Sequence, residues 1–94
     1  MKHSYVYILT NKLRESLYIG VTSDLKQRVL KHKQNKGSFF SRKNRLSVLL
    51  YFEKFPEAHQ AIGRKKILKN WHEEWKWNLI KSQNPNYKDL FEDI

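Results

Sequence analysis

The sequence contains no cysteine, only two prolines and three glycines, and no long apolar run. The absence of cysteine excludes a disulfide framework, a thiolate metal site and a thiolate nucleophile, and it is compatible with a reducing compartment. The apolar run at residues 4–10 is too short for the core of a signal peptide or for a membrane span. We therefore expect a soluble, cytoplasmic protein without a membrane partner. Its 94 residues, free of repeats and low-complexity linkers, predict a single domain over residues 1–94.

Acidic residues are also scarce, with nine of them against nineteen lysines and arginines, and the formal net charge is +10. Residues 25–45 contain eight basic side chains and no acidic one: Lys26, Arg28, Lys31, Lys33, Lys36, Arg42, Lys43 and Arg45. A second basic cluster follows: Arg64, Lys65, Lys66 and Lys69. A one-sided basic patch predicts a nucleic-acid partner. An anionic membrane is the competing partner, but neither a lipidation motif nor a strongly amphipathic basic helix supports it.

Hydrophobic patterning predicts a small α+β fold. Residues 4–10 and 17–21 are rich in β-branched and aromatic side chains and, joined by a short polar segment, predict an antiparallel hairpin. Residues 46–55 form the most apolar run and are expected to be the central strand. Three helices are predicted: residues 24–36, residues 57–70 and a further helix from residue 71. The order β-β-α-β-α-α predicts a three-stranded antiparallel sheet flanked by helices.

Several residues indicate where the helices begin, end or pack closely. Asp24 and Gln27 resemble a capping box at the start of the first helix, and Gly37 is placed to end it. Pro56 stands where the first residue of the second helix is expected. Gly63 inside that helix costs about 1 kcal/mol relative to alanine, so we interpret it as a sign of close packing.

One face of the first helix combines apolar and polar side chains. Leu25, Arg28, Val29 and His32 fall at i, i+3, i+4 and i+7. Tyr18 precedes this helix, in the second strand. A guanidinium, an imidazole and a phenol that converge at a strand-to-helix junction suit a phosphate. The alternative is that Arg28 and His32 are only solvated or capped.

The aromatic side chains allow two interpretations. Phe39 and Phe40, among basic residues, either stack on bases or close the edge of the core. Three side chains form a stripe at i, i+4 and i+8: Trp71, Trp75 and Leu79. We interpret this stripe as part of the core, and a nucleic-acid stacking platform is the alternative. Three apolar side chains near the C-terminus are expected to pack back on the domain: Tyr87, Leu90 and Phe91.

Two tripeptides in the predicted hairpin carry a resemblance to a known family. Tyr18-Ile19-Gly20 matches one half of its motif, and Tyr5-Val6-Tyr7 is a degenerate form of the other half. Tyr7 to Tyr18 is eleven residues, Tyr18 to Arg28 is ten, and Arg28 to His32 is four. The later signature reads Ala61-Ile62, Lys69-Asn70-Trp71, Leu79-Ile80 and Asn84-Pro85-Asn86-Tyr87. Over residues 4–91 the chain resembles the GIY-YIG endonuclease superfamily, in particular its small single-domain bacterial members.

This resemblance implies phosphodiester hydrolysis with one divalent metal, Mg²⁺ or Mn²⁺, and DNA is favoured over RNA as the partner. It implies that Tyr7 or Tyr18 deprotonates or orients the attacking water. A phenol with a pKa of about 10 can do this only if cations or metal-bound hydroxide lower its proton affinity. Arg28 would hold the scissile phosphate, His32 would hydrogen-bond a tyrosine or the phosphate, and Asn84 would position phosphate or backbone.

One position departs from the family pattern. The metal ligand of the family is a glutamate in the helix after the third strand, and this chain has Lys65 there. An ammonium cannot ligate Mg²⁺ and repels it at close range. Glu53, Glu57 or one of Glu73 and Glu74 would have to substitute, and Glu57 lies about 12 Å away along the helix axis. The basic side chains expected to contact nucleic acid around this site are Lys26, Lys31, Arg42, Lys43, Arg45 and Lys65.

Three interpretations of the nucleic-acid site therefore stay open. Another carboxylate holds the metal and the protein cleaves; or Lys65 supplies a fixed positive charge for slow metal-independent cleavage; or the domain binds nucleic acid without cutting it. A structural or protein-interaction role is the alternative from a different class, and it predicts that Arg28→Ala leaves function intact. We expect binding to the backbone, strongly weakened by salt, rather than sequence-specific cutting.

Overall fold

The computed structural model describes residues 3–36 and 43–94. Gly37, Phe39, Phe40 and Arg42, for which the sequence makes predictions, lie outside these residues. The elements follow in the order β1 (Ser4–Thr10), β2 (Leu17–Thr22), α1 (Leu25–Lys33), β3 (Val48–Phe55), α2 (Ala58–Lys69), α3 (Glu73–Gln83) and a short 3-10 helix (Phe91–Asp93). The predicted α+β order β-β-α-β-α-α is confirmed. Within residues 3–36 and 43–94, no helix is long and apolar enough to cross a membrane.

The three strands form one antiparallel sheet in the order β2-β1-β3, so the central strand is β1. The prediction that residues 46–55 are the central strand is wrong. These residues look central because Val48, Leu49, Leu50 and Tyr51 are all buried, and the C-terminal segment covers the outer edge of β3. The Leu90 N–H donates to the Leu49 carbonyl at 2.8 Å, and the Leu49 N–H donates to the Asp89 carboxylate at 3.1 Å. A covered edge strand has the apolar composition of a central one.

Each face of the sheet has its own apolar cluster. On one face, α2 and α3 bury Val6, Ile8, Ile19, Leu50, Ala61, Leu68 and Ile80. On the other face, α1 and the C-terminal segment cover Tyr7, Leu9, Leu25, Val29, Leu46 and Leu49. Leu90 and Phe91 pack on this second cluster and Tyr87 packs on the first, as predicted. Alternation along β1 therefore directs Tyr7 towards α1 and its neighbours Val6 and Ile8 towards α2.

The ends of the first two helices partly follow the sequence prediction. The Asp24 side chain accepts a hydrogen bond from the Gln27 N–H at 3.2 Å and caps α1 as expected. The helix ends at Lys33, earlier than predicted, because Asn35 takes a left-handed backbone with φ of 61°. Helix α2 begins after Glu57, its N-cap, so Pro56 lies before the helix and not at its first residue.

The second half of the chain corrects two further predictions. Nothing lies within 4 Å of a Cβ built at Gly63, so this glycine does not mark close packing. The tryptophan stripe is not simply core: Trp71 lies between α2 and α3, and the side chain of Trp75 is 52% exposed. Helix α2 ends at Lys69 with Asn70 as C-cap, and His72 has an extended backbone before α3 begins.

Candidate functional site

The ring of Tyr7, in the middle of the central strand, packs directly against the backbone of Gly20. The two residues are partners across β1 and β2. A Cβ at Gly20 would lie 2.5 Å from both Cζ and the hydroxyl of Tyr7, closer than any real side chain approaches. Gly20 does not have a positive φ, so it is needed for space and not for backbone freedom. The glycine of the second tripeptide thus makes room for the tyrosine of the first.

His32 closes over Tyr7 from the last turn of α1. Its Nε2 lies 3.1 Å from the Tyr7 hydroxyl, and its side chain is buried. Burial, followed by the positive charge of Arg28, lowers the pKa of His32 to about 4, so the imidazole is neutral at pH 7. Burial, followed by the nearby Tyr18 phenol, raises the pKa of Tyr7 well above its ordinary value despite the opposing charge of Arg28. Tyr7 therefore keeps its proton, which is the opposite of what a general base requires.

Tyr18 and Arg28 complete a set that we call the tyrosine–histidine cluster: Tyr7, Tyr18, Arg28 and His32. The Tyr18 ring centroid lies 6.2 Å from that of Tyr7 and 5.5 Å from that of His32. Tyr18 is half-buried and Arg28 is exposed, one turn before His32 on α1. No carboxylate pairs with Arg28 among residues 3–36 and 43–94. The structure brings these four predicted residues together, with a guanidinium available to an anion.

Asn84, the fifth predicted catalytic residue, makes its contacts elsewhere. It is 3% exposed and ends α3. Its Nδ2 donates to the carbonyls of Leu50 at 3.0 Å and Lys88 at 2.8 Å, and its Oδ1 accepts from the Lys88 N–H at 3.2 Å. Both amide protons are thus committed to backbone, at the β3 side of the sheet and away from Tyr18 on β2. Asn84 ties the start of the C-terminal segment to β3.

Lys65 lies on the other side of Tyr18, in what we call the lysine cavity. Its volume is about 330 Å³, and its walls are Leu17, Tyr18, Ile19, Lys65, Lys69 and Lys76. Lys65 is half-buried here, next to the strand that carries Tyr18. Lys69 and Lys76 were not predicted as site residues. Lys65 and Lys69 share a helix face at i, i+4, which could have indicated Lys69, but Lys76 joins them only because the chain turns between α2 and α3.

The carboxylates that would substitute for the missing metal ligand are engaged or remote. Glu53 is held by the Tyr51 hydroxyl and by Arg64, whose Nε and a terminal nitrogen donate at 2.9 and 3.0 Å. Glu57 caps the start of α2, and Glu73 lies 3.6 Å from Lys76. In the described part of the chain, no three histidine or acidic side chains are grouped to hold a metal ion. These residues do not fit the divalent metal that the family implies.

The other predicted basic residues surround the tyrosine–histidine cluster loosely. Lys26 and Lys31 are exposed on α1, and Lys43 and Arg45 are exposed before β3. Arg45 also lines a cavity of about 460 Å³ whose wall includes His32. Lys33, which belongs to the same basic stretch, is neutralised by Asp89. The surface around α1 therefore carries exposed basic side chains, whereas Lys33 forms an ion pair within the fold.

Comparison with known proteins agrees with this geometry. The family model described as "GIY-YIG catalytic domain" matches residues 3–78. The chain is 36% identical over 91 residues to the UPF0213 protein CPE1444 of Clostridium perfringens, which covers 97% of both chains. It is 31% identical over 83 residues to the UPF0213 protein SH2523 of Staphylococcus haemolyticus, covering 88% of this chain and all of that protein.

A solved structure resembles the fold as well as the sequence. The solution NMR structure of the UPF0213 protein BH0048 from Bacillus halodurans superposes with a TM-score of 0.59 at 29% identity. The match covers 93% of this chain and 92% of that one, so it includes the sheet and all three helices. This chain therefore belongs to the GIY-YIG family, among the small single-domain UPF0213 proteins, and its domain is nuclease-like.

Proposed function

We propose that this protein binds the phosphate backbone of nucleic acid at Tyr18 and Arg28 and does not cut it with a metal ion. One observation carries the proposal: Lys65, at the family's metal-ligand position, puts an ammonium into the cavity beside Tyr18. A cation at this place attracts a phosphate and repels Mg²⁺ or Mn²⁺. The substitution therefore favours binding and disfavours metal-dependent catalysis.

The tyrosine–histidine cluster supplies the groups that a phosphate needs. Arg28 is exposed and has no carboxylate partner in the described residues, so its planar fork can donate two hydrogen bonds to phosphate oxygens. The half-buried Tyr18 presents its phenol at the same edge of the sheet. The neutral His32 holds the Tyr7 hydroxyl at 3.1 Å and adds no charge of its own. The cluster orients an anion, and its affinity depends mainly on Arg28 and the surrounding lysines.

Hydrolysis by this cluster lacks two requirements. The pKa of Tyr7 is raised by burial and by the neighbouring Tyr18, so the phenol stays protonated at neutral pH and is not available as a base for the attacking water. Glu53, one of the carboxylates that would substitute as metal ligand, already neutralises Arg64 on α2. A protein-interaction role would not require Arg28 to stay unpaired beside two tyrosines and a neutral histidine.

The test is nicking of supercoiled and branched DNA with Mg²⁺ or Mn²⁺, together with binding of the same DNA at two salt concentrations. We compare the native chain, Lys65→Glu and the double variant Tyr7→Phe/Arg28→Ala. We expect the native chain to bind without nicking, the double variant to lose most binding, and Lys65→Glu to gain metal-dependent nicking. Competition with RNA of the same sequence tests the preference for DNA.

Two outcomes would overturn the proposal. Nicking by the native chain that the double variant lacks would mean that another carboxylate holds a metal ion. Binding that is equal in the native chain and the double variant, or absent in both, would favour a structural or protein-interaction role.

A further inference from the structure

The lysine cavity is formed by three elements that meet at the edge of the sheet. Strand β2 contributes Leu17, Tyr18 and Ile19, while α2 and α3 contribute the three lysines. Ile19 belongs to the apolar cluster under α2 and Leu17 packs against it, so the inner wall of the cavity is apolar. Tyr18 is the only one of these six residues that also belongs to the tyrosine–histidine cluster. The cavity and the cluster therefore lie on opposite sides of one phenol.

The charge of the cavity is unbalanced. Lys76 is only 14% exposed, and the carboxylate nearest to it, Glu73, is 3.6 Å away and 58% exposed. For Lys65 and Lys69 the described residues offer no carboxylate within 4 Å. These two lysines stand one turn apart on α2, a spacing at which like charges repel. Three ammonium groups against one carboxylate leave an excess of two positive charges around a partly open cavity of about 330 Å³.

Resting on the proposed function, we infer that the lysine cavity binds the terminal phosphomonoester of a nucleic-acid strand. A phosphodiester carries one negative charge, whereas a phosphomonoester carries about 1.5 to 2 at pH 7 and offers three acceptor oxygens. The excess of two positive charges matches the second group. The volume suits one sugar-phosphate against the Leu17 and Ile19 wall, and it is too small for a duplex.

The shared Tyr18 links this cavity to the backbone site. A strand whose end lies among the lysines would pass Tyr18 and place an internal phosphate near Arg28. Each site then raises the effective concentration of the strand at the other. The protein would therefore prefer strands with phosphorylated ends over strands that carry only internal phosphates.

The test uses fluorescence anisotropy with one single-stranded DNA sequence in three forms: a 5′-phosphate, a 3′-phosphate, or hydroxyls at both ends. We expect one phosphorylated form to bind about tenfold tighter than the hydroxyl form at physiological salt, and the two phosphorylated arms identify the end that is recognised. Lys65→Gln and Lys69→Gln should remove this preference. Lys54→Gln and Lys81→Gln, which remove exposed lysines elsewhere, should keep it.

The outcomes separate this inference from the proposed function. If all three forms bind equally and Arg28→Ala weakens all of them, the end-binding inference fails and the backbone site stands. If no form binds, both fail. A separate titration with inorganic phosphate, followed by NMR at the Lys65 and Lys69 amides, tests binding of the free anion. Saturation by phosphate without any preference for phosphorylated ends would identify a free-phosphate site and overturn the strand-end inference. Circular dichroism checks that each lysine variant is folded.

Discussion

The two sides of Tyr18 differ in the way that they are stabilised. In the tyrosine–histidine cluster the buried groups are satisfied within the fold, because His32 lies within hydrogen-bond distance of the Tyr7 hydroxyl and Gly20 leaves space for the Tyr7 ring. The lysine cavity is not satisfied, because in the described structure its three ammonium groups have a single carboxylate partner, that of Glu73 at 3.6 Å from Lys76. The side chains of the first region are fixed by close packing and burial. The positive charge of the second region is left to be compensated by an anion from outside the fold. Each side of the site can therefore change without the other.

This difference explains how one substitution alters the chemistry and leaves the cluster intact. Lys65 stands on α2, on the face of the sheet opposite to α1, which carries Arg28 and His32. Replacing a carboxylate there changes the sign of the local charge next to Tyr18. It does not change the packing of Tyr7 or His32, which depend on β1, β2 and α1. If the proposed function holds, phosphate binding and metal binding are separable in this fold.

The largest expected effect comes from removing the space under Tyr7. Gly20→Ala should destabilise the protein by about 3 kcal/mol, because the new methyl group would overlap the Tyr7 ring and force it off the sheet. The free energy of unfolding from urea denaturation measures this. Gly63→Ala is the matched control, since nothing lies within 4 Å of the added Cβ, and it should stabilise α2 by up to about 1 kcal/mol. Equal stability of Gly20→Ala and the native chain would contradict the steric role.

The second prediction concerns acid. The pKa of His32 is lowered to about 4 by burial and by the Arg28 charge, whereas the unfolded chain has a pKa of about 6.5 at this residue. Above pH 6.5 both states are neutral and stability does not depend on His32. As the pH falls below 6.5 only the unfolded state gains the proton, so stability decreases, by about 2 kcal/mol between pH 7.5 and pH 5.

Urea denaturation across this pH range measures the loss, and His32→Gln serves as its control. The variant should be less stable at pH 7.5 but should lose about 2 kcal/mol less on going to pH 5. A parallel pH profile for both proteins would mean that His32 is protonated in the folded state and does not hold Tyr7 as a neutral partner.

A smaller effect is expected on the opposite edge of the sheet, at Glu53. Glu53→Gln should destabilise the protein by about 1–2 kcal/mol, because it removes the charge that pairs with Arg64 and accepts from the Tyr51 hydroxyl. Titration calorimetry should detect no Mn²⁺ binding that depends on Glu53, in the native chain or in the variant. Glu74→Gln, on an exposed residue of α3, is the control for stability. A Glu53→Gln chain that keeps its stability but loses Mn²⁺ would make Glu53 a metal ligand instead.

The sequence assigns the four residues of the tyrosine–histidine cluster to the correct strands and helix because the relevant signals are local. The hairpin places Tyr7 and Tyr18 on neighbouring strands, and the period of α1 puts Arg28 and His32 on one face. Asp24 caps that helix by a contact three residues along the chain. Spacings of this kind depend on the geometry of a single element and do not require knowledge of the tertiary packing.

What the sequence does not show depends on contacts between distant segments. β3 looks like a central strand because the C-terminal segment covers its outer edge. The periodicity of residues 46–55 gives no sign of that distant segment. Asn84 resembles a site residue by family position, yet its amide is used by the backbone of Leu50 and Lys88. Lys76 reaches the lysine cavity only through the turn between α2 and α3. The membership of Lys76 in the cavity therefore follows from the packing of α2 against α3, which no local spacing shows.

The smallest expected effect separates charge from shape at Arg28. A plot of the logarithm of the binding constant against the logarithm of the salt concentration should lose about one unit of slope in Arg28→Ala, because one phosphate contact is removed. Arg28→Lys should keep the slope and bind more weakly, since an ammonium lacks the planar fork. Lys81→Ala, which removes an exposed charge on α3, should change neither affinity nor slope. If Arg28→Ala and Lys81→Ala gave the same slope, the positive charge of the whole surface would attract the nucleic acid, and the tyrosine–histidine cluster would have no part in binding it.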